Sequence, residues 1–79
     1  MTKHVTIIKE GKGESLEKAV ESAFYGAVGK ALDCPRIIGN PAETAIVETV
    51  NTHPIGRFEF KDWYIAVIVA RFPISARKD

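Results

Sequence analysis

Trp63-Tyr-Ile-Ala-Val-Ile-Val-Ala-Arg-Phe72 is the stretch that decides the fold, because its β-branched and aromatic residues favour a strand over a helix. Successive side chains of a strand point to opposite faces. One face of this strand would carry Trp63, Ile65, Val67 and Val69. The other would carry Tyr64, Ala66, Ile68, Ala70 and Phe72. Both faces are apolar, so the sequence predicts a strand that has to be covered on both sides.

Length and composition indicate one small domain. The chain has 79 residues, 46% of them hydrophobic, with one cysteine and a net charge of +1. A domain of this size has a marginal core, and one cysteine cannot form an internal disulfide. The balanced charge argues against a dedicated nucleic-acid surface. No apolar run approaches the roughly 20 residues of a membrane span, and the N-terminus has no signal-peptide core, so we expect a cytoplasmic protein without membrane contact.

The first half of the chain predicts a strand, a turn and a helix. Residues 3–9 alternate in the manner of a strand, and Glu10–Glu14 contains the glycines of a turn. Apolar residues then recur at three- and four-residue spacing, which predicts a helix over 15–33. Ser15 is a suitable N-cap, and Pro35 prevents the helix from continuing.

The second half predicts two further strands. Residues 44–52 form a candidate strand, and His53–Gly56 contains the proline and glycine of a turn. A long strand over 57–72 follows. The tail 75–79 is expected to be frayed.

The order strand, helix, strand, strand predicts an α+β fold of the β-α-β-β type. One helix packs on a three-stranded antiparallel sheet of order 1-3-2, with the two-faced long strand at the centre. That strand would extend about 53 Å, whereas the helix reaches only about 28 Å. Either a bulge near Lys61-Asp62 bends the strand, or the 44–62 hairpin projects as an arm.

The sheet face away from the helix would stay exposed in a monomer, and contiguous apolar surface of this kind usually marks an interface. We therefore predict a homo-oligomer. The interface residues expected on this face are Trp63, Ile65, Val67 and Val69.

The polar side of the predicted helix carries Gly26 and Gly29. An exposed helix glycine costs about 1 kcal/mol relative to alanine. Tolerance of that cost is one explanation, and the close approach of a backbone from a neighbouring subunit is the other. Gly26 and Gly29 therefore join the candidate interface residues.

The chain resembles the dodecins, small β-α-β-β proteins that form hollow dodecamers and bind flavins. The resemblance lies in the helix start Ser15-Leu16-Glu17-Lys18-Ala19 and in the strand Ile65-Ala66-Val67-Ile68-Val69-Ala70-Arg71-Phe72. It implies a homo-oligomer with flavin as a possible cofactor. Flavin-binding dodecins carry a stacking tryptophan on the second strand, whereas 44–52 has no aromatic residue and Trp63 lies on the third strand. No flavin-contacting residue is carried over.

Trp63 and Tyr64 are the candidate ligand-binding residues, because aromatic side chains line pockets for planar molecules. Anchoring in the core or in an interface is the alternative for both. Gly11–Ser15 lacks the spacing of a phosphate-binding loop. His4, His53 and Cys34 do not have the spacing of metal ligands, so no metal site is predicted.

Nothing in the sequence assembles a nucleophile, a base and an orienting group, so no catalytic residue is predicted and an enzyme is not expected. A homo-oligomer that binds or stores a small planar ligand is the preferred hypothesis. A structural or adaptor subunit engaging another protein is the first alternative. A small RNA-binding oligomer is the second, and it requires Lys3, Lys9, Lys12, Arg57 and Lys61 to cluster.

Overall fold

The computed structural model describes residues 3–75, apart from the side chain of Phe58. Its elements are β1 (Lys3–Gly13), α1 (Leu16–Ala31), α2 (Pro41–Thr44), β2 (Ile46–Phe58) and β3 (Lys61–Ile74). The three strands form one antiparallel sheet of order β1-β3-β2. The predicted α+β class, the β-α-β-β order and the central position of the last strand are confirmed.

The core lies between β3 and α1, and it is made mainly of alanine. The fully or almost fully buried alanines are Ala19, Ala23, Ala27 and Ala31 on α1, and Ala66 and Ala70 on β3. Small side chains let the helix backbone lie close to the sheet. Among the described residues, Phe72 and Ile68 are the only large side chains that are fully buried. The hydrophobic stabilisation available to one isolated chain is therefore small.

Glycines in β1 make this close packing possible. They lie within the strand, so the prediction of a turn at Glu10–Glu14 is wrong. β1 continues to Gly13, where it pairs with Tyr64. A Cβ at Gly11 would overlap the backbone of Ala19 and Ala23, and one at Gly13 would lie 2.7 Å from the Lys18 Cβ. These glycines serve helix packing rather than a change of chain direction.

The predicted helix is confirmed in its position, but its predicted end at residue 33 is two residues too late. Ser15 is the N-cap, and its Oγ accepts a hydrogen bond of 3.1 Å from the Lys18 N–H. α1 ends at Ala31 with Leu32 as C-cap. The four-residue α2 was not predicted. It begins after Asn40, whose side chain accepts a hydrogen bond from the Ala42 N–H.

The predicted boundaries of the hairpin are wrong. His53 and Pro54 pair with Ile65 and Tyr64, so the expected turn at His53–Gly56 is part of β2. Pro54 is tolerated there because β2 is an edge strand. The actual loop is Glu59-Phe60. The two register shifts lie in β2, between Thr49 and Asn51 and between Pro54 and Gly56, not near Lys61-Asp62.

The C-terminal end of the described chain, at Ser75, is hydrogen-bonded to the loop after α1. The Ser75 N–H donates a hydrogen bond of 2.8 Å to the Arg36 carbonyl, so the prediction of a frayed tail is wrong at Ser75. Residues 76–79 lie outside the described residues. Ile37 also forms a bridge with Ile74, which ties the loop after α1 to the end of β3.

The molecule is elongated because the hairpin extends beyond the helix. Its principal extents are 51 × 19 × 16 Å and its radius of gyration is 14.5 Å, whereas a compact chain of this length has about 11.6 Å. β1 pairs with β3 no further than Tyr64. We call residues 55–63 the arm, since from Trp63 to the loop β3 has β2 as its only strand partner.

Candidate interface and ligand groove

The side of the sheet opposite α1, the open face, carries an apolar stripe that runs along β3 and includes one residue each of β1 and β2. Ile8 of β1 lies directly opposite Val69, and Ile46 of β2 lies opposite Arg71. Ile8 is 65% exposed and Ile46 is 51% exposed. The stripe consists of Ile8, Ile46, Trp63, Ile65, Val67 and Val69. Its four β3 members are the side chains that the sequence assigned to one face, and they are only half-buried.

Polar residues border this stripe. Glu48, an unexpected carboxylate among apolar neighbours, lies 3.6 Å from the guanidinium of Arg71 across the sheet. Thr6, Glu10 and Lys12 occupy the β1 side by register. An apolar centre with a polar rim is the usual composition of a protein–protein interface.

The exposed area of the chain is large for its mass. The accessible surface is 5684 Å², whereas a compact monomer of 8.7 kDa has about 4700 Å². The excess of about 980 Å² over the compact monomer is comparable to the roughly 800 Å² that each partner contributes to a standard interface. An elongated chain with this much accessible surface has room for a contact of standard size.

A groove of about 430 Å³ lies at the base of the arm, and we call it the ligand groove. It is lined by Lys12, Ile55, Arg57 and Trp63. Trp63 supplies the aromatic surface, but its indole N–H is buried and has no acceptor among the described residues. Tyr64 points to the α1 side, so the two predicted ligand-binding residues are not brought together.

Sequence reasoning missed three of the four lining residues. Ile55 was assigned to a turn, and Lys12 and Arg57 approach Trp63 only through the strand register. Arg57 pairs with Asp62 at 3.5 Å, with both side chains largely exposed. Exposed pairs contribute little to stability. Lys12 has no ion-pair or hydrogen-bond partner within residues 3–75, so it leaves a positive charge at the rim of the ligand groove.

Gly26 and Gly29 are exposed on α1, and packing within the chain does not require glycine at either position. A Cβ at Gly29 would meet nothing within 4 Å, and one at Gly26 would meet only the Lys9 side chain at 3.7 Å. Their assignment to a subunit interface stays a prediction.

The remaining candidate sites are dispersed. His4 lies opposite Pro73 and His53 opposite Ile65, a separation of about 26 Å along β3. Within residues 3–75, no three His, Cys, Asp or Glu side chains come together in a way that could hold a metal ion. No helix in this part of the chain has the length and apolar character to span a bilayer.

The basic residues required for RNA binding do not share one surface. Lys9 pairs in register with Ile68 on the α1 side, whereas Lys12 pairs with Ile65 on the open face. Lys61 forms an ion pair of 3.3 Å with Glu14, near the start of α1. The positive charge is therefore divided between faces and partly neutralised.

Comparison of the chain with protein-family models, with curated proteins and with solved structures finds no match.

Proposed function

We propose that the chain is a non-enzymatic, dodecin-like protein that assembles with copies of itself through its open face. One observation carries the proposal. Of the six apolar side chains of the stripe on that face, Ile8 and Ile46 are exposed and the four on β3 are only half-buried. Within residues 3–75, by contrast, only two large side chains are fully buried. A cytoplasmic location is part of the proposal, supported by the use of one cysteine, which is typical of proteins that do not rely on disulfides.

The energetics favour assembly. If each copy buries about 800 Å², of which about 60% is apolar, the gross hydrophobic gain is about 12 kcal/mol per copy. A dimer then gains about 24 kcal/mol, against an association cost of roughly 4 to 15 kcal/mol. Association also orders side chains and desolvates polar groups, so buried area does not convert directly into affinity, and this gross gain supports assembly without setting its dissociation constant.

A charge at the centre of the open face tests this proposal. Val67→Lys places an ammonium group in the seam, and we expect dissociation to monomers in light scattering behind gel filtration. Leu32→Lys is the matched control, because Leu32 is an exposed apolar residue at the C-cap of α1, where a cation is tolerated. Equal assembly of the Val67→Lys and Leu32→Lys proteins would contradict the proposed seam.

The ligand groove supports a second function, the binding of a small planar molecule such as a flavin against Trp63. The supporting observation is the volume of about 430 Å³ beside an aromatic residue. Trp63 is the only tryptophan of the chain, so its fluorescence reports binding directly. Flavins or nucleobases should quench it, and no quenching at ligand concentrations on the order of tens of micromolar would remove this function.

An adaptor role remains the alternative use of the same open face. It differs from self-assembly in its partner, which would be another protein. Monomeric protein at micromolar concentration that retains a specific heterologous partner would support the adaptor role over the proposal.

A further inference from the structure

The loop at the end of the arm is built from residues that its backbone conformation disfavours. Glu59 and Phe60 form the whole loop between β2 and β3, with φ angles of 51° and 66°. Two positive φ angles are typical of a type I′ turn, in which Asn-Gly and Asp-Gly are the usual pairs. A bulky residue at positive φ is an outlier. Strained backbone of this kind clusters at functional sites.

Phe60 has no role inside its own chain. Its side chain is 97% exposed, the highest value among the exposed large hydrophobic residues of the described chain. The 51 Å length of the molecule also separates the tip of the arm from most of the core. An aromatic ring held away from the core at a strained position suits an anchor for another molecule, since aromatic residues are enriched among the energetically dominant contacts of interfaces.

The ligand groove has the complementary chemistry. Ile55 and Trp63 offer apolar surface for a ring, and the groove volume of about 430 Å³ exceeds that of a phenyl group. Glu59 accompanies Phe60 at the tip, and Lys12 at the groove rim has no ion-pair partner among the described residues. A carboxylate beside the inserted ring would therefore meet a free ammonium group.

The geometry is self-complementary. Trp63 of β3 lies three residues after Phe60 of the loop, a distance of about 10 Å in extended chain. Two arms that lie antiparallel and overlap by this length would place each tip at the groove of the other. Such reciprocal contact is the definition of an isologous two-fold interface. Because Trp63 belongs to both the groove and the apolar stripe, this contact continues the proposed seam.

We propose that Phe60 of one copy inserts into the ligand groove of a second copy, and reciprocally, with Glu59 beside Lys12 of that second copy. The inference rests on the proposed self-assembly and names the occupant of the groove. A planar ligand would compete with Phe60 for the same space.

Two variants of the loop test the proposal. Phe60→Asn removes the ring and suits the positive φ, so it adds no backbone strain to the loop. Glu59→Asp also suits the positive φ but keeps the charge and the ring. Light scattering over a dilution series measures assembly, and the emission of Trp63 measures exposure of the groove.

We expect Phe60→Asn to raise the dissociation constant by about tenfold or more for each ring lost and to shift the Trp63 emission to the red. Glu59→Asp should behave as the unmodified chain. Unchanged assembly and Trp63 emission in Phe60→Asn would overturn this inference but not the proposed self-assembly. Equal dissociation of Phe60→Asn and Glu59→Asp would have the same consequence. A monomeric unmodified chain would overturn the proposed self-assembly as well.

Discussion

Replacing Gly11 by alanine should separate α1 from the sheet. An added Cβ would lie 2.8 Å from the Cα of Ala23, and ordinary van der Waals contact begins at 3.4 Å. The difference of these two distances is about 0.6 Å, and the Ala23 nitrogen and the Ala19 carbonyl oxygen would lie closer still, so the helix backbone has to move by more than this. The atoms it would meet belong to backbone, so no side-chain rotation relieves the overlap. The movement would loosen the alanine contacts of the core.

We expect Gly11→Ala to destabilise the chain by about 3 kcal/mol, at the upper end of overpacking costs. For a domain of this size the melting temperature would fall by about 12 to 24 °C. Circular dichroism at a fixed protein concentration measures the change, because assembly makes the melting temperature depend on concentration. Glu21→Ala, on the exposed side of α1, is the control and should change stability by less than about 0.5 kcal/mol.

A stabilising effect of Gly11→Ala would refute this reasoning. Gly11 does not have a positive φ, unlike Gly39 and Gly56. If the helix did not approach Gly11, alanine would reduce the entropy of the unfolded chain and stabilise the protein by about 0.4 to 1 kcal/mol. An unchanged or higher melting temperature of Gly11→Ala therefore contradicts the packing described for β1 and α1.

Two further predictions concern α1. Ser15→Ala removes the acceptor for the Lys18 N–H and should lower the free energy of unfolding by about 1 kcal/mol, measured by thermal unfolding. Ser22→Ala, on the exposed side of the helix, is the control and should have almost no effect. Equal effects of the two substitutions would contradict the capping role. Gly29→Ala would strengthen a solvent-exposed helix by up to about 1 kcal/mol. If Gly29 lies in a subunit contact, the added methyl group should weaken assembly in light scattering. An intact assembly with a higher melting temperature would remove Gly29 from the interface.

The sheet order and the assignment of faces could be predicted because they follow from periodicity. Alternation along residues 63–72 specifies which side chains meet α1, and the register confirms it. Apolar side chains on both faces of this strand indicate the central strand of a three-stranded sheet. These properties depend on local sequence and on a small number of possible topologies.

The hairpin could not be placed from sequence because its loop has no turn signal. Glu59-Phe60 contains neither glycine nor asparagine, whereas His53–Gly56 contains both a proline and a glycine and lies within β2. The glycines of β1 present the same ambiguity, since a glycine required for helix packing looks identical to one required for a turn. The start of α2 was accessible, because Asn40-Pro41 is a typical cap followed by proline at the first helical position.

The ligand groove depended on tertiary structure. Lys12 comes from β1, Ile55 and Arg57 from β2 and Trp63 from β3. Their proximity follows from two strand registers, one of which is shifted twice by irregularities in β2. A shift of one residue moves a side chain to the other face of a sheet, so a groove of this kind cannot be assembled from sequence spacing.

The mass of the protein in solution tests self-assembly most directly. Light scattering of the full chain behind gel filtration, at micromolar concentration, should give a multiple of 8.7 kDa. We expect Val67→Lys to lose this assembly and Leu32→Lys to keep it, because the apolar stripe of the open face is not fully covered within one chain. A mass of 8.7 kDa for the unmodified chain would contradict the proposal that copies of this protein cover that face.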